Sequence, residues 1–277
     1  MNSFKLFSAL ATISLCIGVG FGLYDSWAWV MPENYELLTF SESGTDKVGH
    51  FYKGYLVDAY KENNRDWWEW SYKWWNYDLK NLPDSMHADF KSANIKVAFA
   101  KANESDSSNV NGLNQVCDSI YKKAKNEVFK SDNSTPKLSE NLLRYCSPIV
   151  KEPTVISEAN GVLRNHQKKE EVDGYSNSTY GSTYKNTLIS VTDSRNDLFW
   201  TLKDKEFFGE TSAGISSTGS QDNNIFKKLR STGNANKGHA VKRACKEAYS
   251  TSTENNNSQE TDIFKYCSWS GTKTNNS

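Results

Sequence analysis

The sequence predicts a mainly α-helical protein, with an N-terminal transmembrane helix followed by two tandem small helical repeats, each holding one disulfide. Three observations predict it. Residues 6–23 contain no charge, one unusual six-residue phrase is written twice, and apolar residues beyond the first segment recur at helical rather than alternating spacing.

The chain has 277 residues, enough for one large domain or two small ones. Only 37% of them are apolar, yet 9 Trp, 14 Tyr and 13 Phe are present. That balance points to aromatic-rich cores joined by polar segments. Basic and acidic residues number 33 each, so no charge excess favours nucleic acid, and no nucleic-acid partner is expected.

The first element runs from Leu6 to Leu23 (LFSALATISLCIGVGFGL). At about 1.5 Å per residue it spans about 27 Å, close to a bilayer hydrocarbon core. Lys5 precedes it, Asp25 and Glu33 follow, and Trp27 and Trp29 stand where interfacial aromatics belong. This order favours an inside N-terminus and an outside C-terminus. The stretch is longer than an ordinary signal core, which favours an uncleaved anchor. Ser26-Trp27-Ala28 offers the small residues of a cleavage site, and cleavage after Ala28 would release a secreted chain. Ile13-Ser14-Leu15-Cys16 has the outline of a lipobox, with a leucine too large for the position before the cysteine.

The repeated phrase is LLRYCS at 142–147 and IFKYCS at 263–268. Upstream, VCDSIY (116–121) faces ACKEAY (244–249), YKGYLV (52–57) faces YKNTLI (184–189), and NRDWW (64–68) faces RNDLFW (195–200). The matches keep one order at a slowly drifting separation, the pattern left by internal duplication. Expected domains are therefore 1–31 as anchor or signal, 45–148 and 178–268 as repeats, 149–177 as linker and 269–277 as disordered tail.

Within the first repeat, Leu113, Val116, Cys117, Ile120, Tyr121, Ala124 and Val128 share one helical face. Residues 64–79 predict another helix, stopped by Asn81 and Pro83, and Leu138, Leu142, Leu143 and Cys146 a third. In the second repeat Ser194 is the expected N-cap of a helix closed by Gly209, and Val241, Ala244, Cys245 and Ala248 repeat the face of the long helix. Residues 155–166 suit a short helix in the linker. Short strands at 95–98 or 185–191 stay open.

Each repeat places one cysteine in its long helix and one in its closing phrase. Beyond a membrane segment, this suggests Cys117–Cys146 and Cys245–Cys267 bridges, each worth about 3–4 kcal/mol in the chain-entropy model. The alternative is four thiols packed as small hydrophobes.

No catalytic constellation emerges. His50, His87, His166 and His239 lie far apart, with no HExxH or Cys/His zinc spacing. SAGISSTGS (212–220) and STGNANKG (231–238) lack phosphate-loop spacing and read as flexible loops. No cofactor and no enzymatic activity are expected. The one strong anomaly is Trp67, Trp68, Trp70, Tyr72, Trp74, Trp75 and Tyr77, which would ring a helix on every side. One side suits a core. The other is either capped or offered as a contact surface, with Trp67, Trp68, Trp70, Tyr72, Trp74 and Trp75 the candidates.

YKGYLVDAYKENNRDWWEWSYKWW, the later LNQVC…IY and LLRYCS, together with the opening MNSFKLFSALATISLCIGVGFG, resemble the large paralogous surface-protein families of haemotropic mycoplasmas. The resemblance covers residues 1–147 well and 184–268 more loosely. It implies a membrane-anchored surface antigen or adhesin that meets a host protein or glycan, and it carries no catalytic residues. The expectation is a single-pass cell-membrane protein with its bulk outside. The alternatives are a secreted protein capturing a small nutrient and an exported enzyme of unrecognised class.

Overall fold

The computed structural model describes residues 30–39, 44–91, 95–102, 111–130, 136–164, 167–209, 224–232, 238–254 and 257–273. The apolar segment 6–23, Cys16, the cleavage candidate at Ala28 and the loop 212–220 lie outside them. Among the described residues no helix is long and apolar enough to cross a membrane.

The protein is mainly helical. In the first half, α1 (Val48–Tyr52) runs into a 3-10 turn at Lys53–Tyr55, and α2 (Arg65–Asn81) follows. Two short strands, β1 (Ile95–Val97) and β2 (Asn111–Gly112), pair in parallel ahead of α3 (Leu113–Tyr121). Then come α4 (Lys125–Val128) and α5 (Leu138–Cys146). Gly112 has no room for a side chain, because a Cβ there would sit 2.3 Å from Asn114 Oδ1 and 2.8 Å from Ala100 N. The second half opens with a hairpin, β3 (Val162–Arg164) and β4 (Gln167–Lys169), where a short helix was expected. It continues with α6 (Tyr180–Thr183), α7 (Asp197–Gly209), α8 (Ile225–Ser231), α9 (Ala240–Tyr249) and α10 (Asn257–Cys267).

Local chemistry sets the helix ends. Asp193, one residue before the expected Ser194, caps the turn into α7 by accepting Arg195 N–H. Asn224 caps α8, accepting from Phe226 N and Lys227 N. His239, at φ 51°, cannot cap α9. Asp204 of α7 does so instead, taking the N–H groups of Ala240 and Val241 at 2.8 Å each. The helix expected to run through residues 113–128 stops at Tyr121. Its continuation pairs with another segment: Val48 N–H donates to Lys123 O at 3.0 Å and Lys125 N–H to Asp46 O at 2.9 Å.

Both expected disulfides form. Cys117 and Cys146 join with a Cα separation of 5.8 Å, Cys245 and Cys267 with one of 5.7 Å. Around each lies the same set of hydrogen bonds. Tyr121 Oη donates to Val57 O (2.9 Å) and Cys146 O (3.2 Å), and Tyr249 Oη to Ile189 O (2.8 Å) and Cys267 O (3.3 Å). Val57 N–H meets Cys146 O at 3.0 Å, and Ile189 N–H meets Cys267 O at 2.9 Å. Asn64 Nδ2 reaches Asp58 O and Glu36 O at 2.8 and 2.9 Å, while Asn196 Nδ2 reaches Ser190 O and Thr154 O at 3.0 and 2.8 Å. The indoles of Trp68 and Trp200 donate to the carbonyls of Asp58 and Ser190.

These bonds draw in residues the sequence reading left outside the repeats. Leu37 bridges Val57 in antiparallel fashion and Val155 bridges Ile189, so the edges of the two halves begin before residue 45 and within 149–177. Glu171, also from that expected linker, is buried, and its carboxylate accepts Ser190 Oγ, Thr192 Oγ1 and the N–H groups of Val191 and Thr192. Residues 269–273, expected as a frayed tail, are held as well, since Lys273 Nζ lies 2.9 Å from Glu260 Oε1.

Residues Met31–Ser277 form one compact unit, and a single cluster of buried apolar side chains runs through both halves. The halves meet at an aromatic seam. Tyr55 stacks on Phe199 at 5.7 Å, and Trp269 lies 4.8 Å from Tyr52 and 5.0 Å from Tyr55. Lys203, 3% exposed, sends its ammonium to Glu206 Oε2 (3.0 Å) and Lys265 O (3.1 Å), and Tyr55 Oη donates to the same Glu206 oxygen at 3.2 Å. The chain crosses between halves through a γ-turn in which Lys151 N–H donates to Ile149 O at 2.8 Å. Its central residue, Val150, has φ 67°, a conformation costing a β-branched residue on the order of 1–3 kcal/mol.

Two outcomes follow for the tyrosine clasps. Tyr121→Phe and Tyr249→Phe should each lower unfolding free energy by about 1–2 kcal/mol in urea titrations with disulfides intact, because each deletes a buried donor to two carbonyls. Burial first, then nearby carboxylates or a neighbouring phenol, raises both hydroxyl pKa values well above the ordinary 10.0, and burial with Glu260 pushes Tyr180 up to about 12. Above pH 10 the unfolded chain loses phenolic protons that the folded chain keeps. Stability should therefore fall steadily from about pH 10 to about pH 12, and the same titrations across that range measure it.

Candidate contact surface

The α2 sequence, RDWWEWSYKWWNYDLKN, places large rings at positions that wind once round the helix, so the fold must sort them. Trp67 and Trp68 are fully buried and Trp75 is nearly so. Trp68 donates to Asp58 O at 3.4 Å and Trp75 to Phe90 O at 2.8 Å, while Trp67 Nε1 has no hydrogen-bond partner among the described residues. Trp67 packs edge-on to Trp68 at 4.8 Å and is covered by Tyr35 at 6.4 Å. Three of the six candidate contact residues are thus core residues, buried because the helix side carrying them faces α3 and α5.

Trp70, Tyr72 and Trp74 are half-buried, as is Tyr77, which was not among the six. Tyr72 Oη donates to Lys96 O at 3.1 Å and its ring stacks on Trp75 at 5.0 Å, which ties it to the edge of β1. Trp70, Trp74 and Tyr77 follow one another at helical spacing along the outer side, with Trp74 and Tyr77 edge to face at 6.3 Å. They form an aromatic ridge bordered by exposed Asp66, Glu69, Lys73 and Lys80. The sequence signal for Tyr77 was its place four residues beyond Lys73 and three beyond Trp74, on the outward side.

The ridge rests on a buried ion pair. Asp78, 1% exposed, accepts Arg144 Nη2 at 2.9 Å, a second bond from Arg144 Nε, and Tyr145 Oη at 2.7 Å. Arg144 lies 5.6 Å above the Trp74 ring, so the pair fixes both the end of α2 and the orientation of the ridge. Burial works against the guanidinium charge, and the Asp78 carboxylate more than offsets it, holding the Arg144 pKa above its ordinary value. Burial and then Asp78 likewise raise the Tyr145 hydroxyl.

One open cleft of about 620 Å³ lies beside the start of α2, lined by Asn34, Tyr35, Glu36, Glu62, Asn63, Arg65 and Asp66. None of the indoles lines it. Its polar groups already pair with one another, Asn63 Nδ2 with Glu36 at 2.9 Å and Arg65 Nε with Glu62 at 2.6 Å. It has neither the apolar lining nor the converging free polar groups of a small-molecule site. Among the described residues no group of three or more His, Cys, Asp or Glu side chains is placed to hold a metal ion. His50, His87 and His239 stay apart on α1, on the turn after α2 and before α9.

The chain matches no protein-family model, no curated protein and no solved structure.

Breaking the pair beneath the ridge should be asymmetric. Arg144→Ala leaves Asp78 buried with only a phenol, and should cost about 3 kcal/mol. Asp78→Ala leaves Arg144, which is 27% exposed, free to reach solvent, and should cost about 1–2 kcal/mol. Chemical denaturation of the two variants gives the order.

Proposed function

We propose that the chain is a surface-displayed protein, tethered by residues 6–23 and not an enzyme, that meets a macromolecular partner through the α2 ridge of Trp70, Trp74 and Tyr77. The observation that carries the reading is the pair of buried disulfides in a body that presents that half-buried aromatic ridge. Disulfides of this kind persist in oxidising surroundings, and an uncharged apolar segment with flanking Lys5 and Asp25 supplies a route there. Aromatic rings with one polar edge, half-exposed and rimmed by charge, have the make-up of a protein or glycan contact. The resemblance to surface-protein families of haemotropic mycoplasmas agrees with a host-facing role.

In this reading the body arose by tandem duplication. The matched tyrosine, asparagine and tryptophan hydrogen bonds of the two halves support it; the tyrosines are a pair the sequence aligns, and the asparagine and tryptophan pairs fall one residue from the sequence match of Asp66 with Asp197. Capture of a small nutrient receives less support, because the cleft beside α2 is polar and several of its groups pair with one another.

Two measurements test the proposal. Protease added to intact cells should remove the 31–277 body, with N-terminal sequencing locating the tether; a chain protected until lysis would overturn surface display. The double variant Trp70→Ala/Trp74→Ala should still unfold cooperatively, at a lower temperature because Trp70 packs on Trp67, and at a temperature where it is fully folded it should lose about tenfold or more in host-cell binding. Unchanged binding would remove the ridge as the contact.

A further inference from the structure

We propose that the two halves exchange between copies, so that the first half of one chain docks on the second half of another through the same seam of Tyr55, Phe199, Lys203 and Trp269. Three independent observations point to a second copy of this chain as the partner.

The first is the hinge. Residues 148–153 (PIVKEP) join the halves, with Pro148 and Pro153 buried at the ends and Lys151 and Glu152 exposed between them. Ser147, ahead of Pro148, is extended at φ −139° and ψ 140°, and a residue preceding proline is biased the same way at Glu152. The reversal is therefore made at Val150, a β-branched residue held at φ 67°. A straightened hinge relieves that conformation and spans about 20 Å. Short hinges under strain favour exchange of whole elements between identical chains.

The second is the location of the clasps. Cys117–Cys146, Cys245–Cys267 and both tyrosine–carbonyl sets close within one half, so parting the halves breaks none of them. The third is the seam itself. It is heterologous, since Tyr52 and Tyr55 of the first half meet Phe199, Lys203 and Trp269 of the second. A copy whose hinge opens exposes both complementary surfaces at once, and two such copies satisfy each other's seams without any new contact.

The full chain in detergent micelles tests this, with light scattering for protein mass. A slowly forming dimer is expected at high concentration. Val150→Gly tolerates the turn and should weaken dimerisation about tenfold, whereas Val150→Pro forbids it and should strengthen dimerisation by a similar factor. Differently tagged copies carrying Tyr55→Ala and Phe199→Ala each damage their own seam, yet an exchanged heterodimer contains one intact seam. They should co-purify as a heterodimer more than either dimerises alone. A chain that stays monomeric even as Val150→Pro, with its disulfides mapped as native, would overturn the proposal. So would a dimer indifferent to both hinge substitutions, or an equal response of mixed and separate copies, because these mark self-association through another face such as the α2 ridge.

Discussion

One hydroxyl group holding two carbonyl oxygens organises each half. Tyr121 sits at the end of α3, one turn beyond the cysteine that bonds covalently to the end of α5. Its Oη reaches the carbonyl of that same Cys146 and the carbonyl of Val57, and Val57 N–H closes the triangle on Cys146 O. Three segments distant in sequence are thus fixed at one point by two hydrogen bonds, a backbone pair and a disulfide. Burial, and then the Asp118 and Asp58 carboxylates, hold the pKa of this phenol well above its ordinary value, so it stays protonated and keeps both partners. The rest of the half follows. With α5 held against α3, Ser71 of α2 donates to Tyr145 O at 2.6 Å, and the Asp78–Arg144 pair locks the other end of α2 onto α5. Tyr249, Cys245 and Cys267 do the same for α9 and α10.

Much of this was legible in the sequence where side chains carry the signal. The cysteine pairing could be read from one cysteine per helix and one per closing phrase, and the helical faces of α3, α5 and α9 from their spacing. The tyrosine of VCDSIY and ACKEAY was visible as a match, but its partners are main-chain carbonyls, which leave no mark on sequence. The same limit hid the edge pairs Leu37–Val57 and Val155–Ile189, so Leu37 falls between the expected anchor 1–31 and the repeat from 45, and Val155 within the expected linker. Residues 122–124 kept a helical pattern and left the helix because backbone pairing to residues 46–48 won over propensity. Glu171 lies in the stretch expected as linker, yet it is the acceptor that a turn of Ser, Val and Thr needs.

The tryptophan excess has a physical reading beyond contact. Trp68 and Trp200 make the same indole-to-carbonyl bond, so Trp67, Ser71 and Trp74 stand on α2 where Phe199, Lys203 and Glu206 stand on α7. The α7 side is covered by the first half, through Tyr55. Among the described residues no other half covers α2 in this way, and its side is closed by Tyr35 and by its own extra rings. Large rings left uncovered on that side would face water, so they pack on one another. Trp67, Trp68 and Trp75 serve that need as core, while Trp70 and Trp74 stay half-buried on the outer side of α2.

The seam differs in kind from the clasps. It buries an ammonium, Lys203, whose solvation is replaced by one carboxylate, one carbonyl and the faces of Tyr55 and Phe199. Such an arrangement costs much of what it returns, so its net contribution to stability is small, while a mismatched surface would lose the Tyr55 hydroxyl bond to Glu206 and the Tyr55 face beside the ammonium. Selectivity of docking is what it supplies: only a Tyr55 edge completes the coordination of Glu206 and Lys203. Each half owes its integrity to its own disulfide and tyrosine, and the pairing of halves owes its register to a buried charge. Parting the halves would break the seam and leave each disulfide and each tyrosine–carbonyl set within its own half.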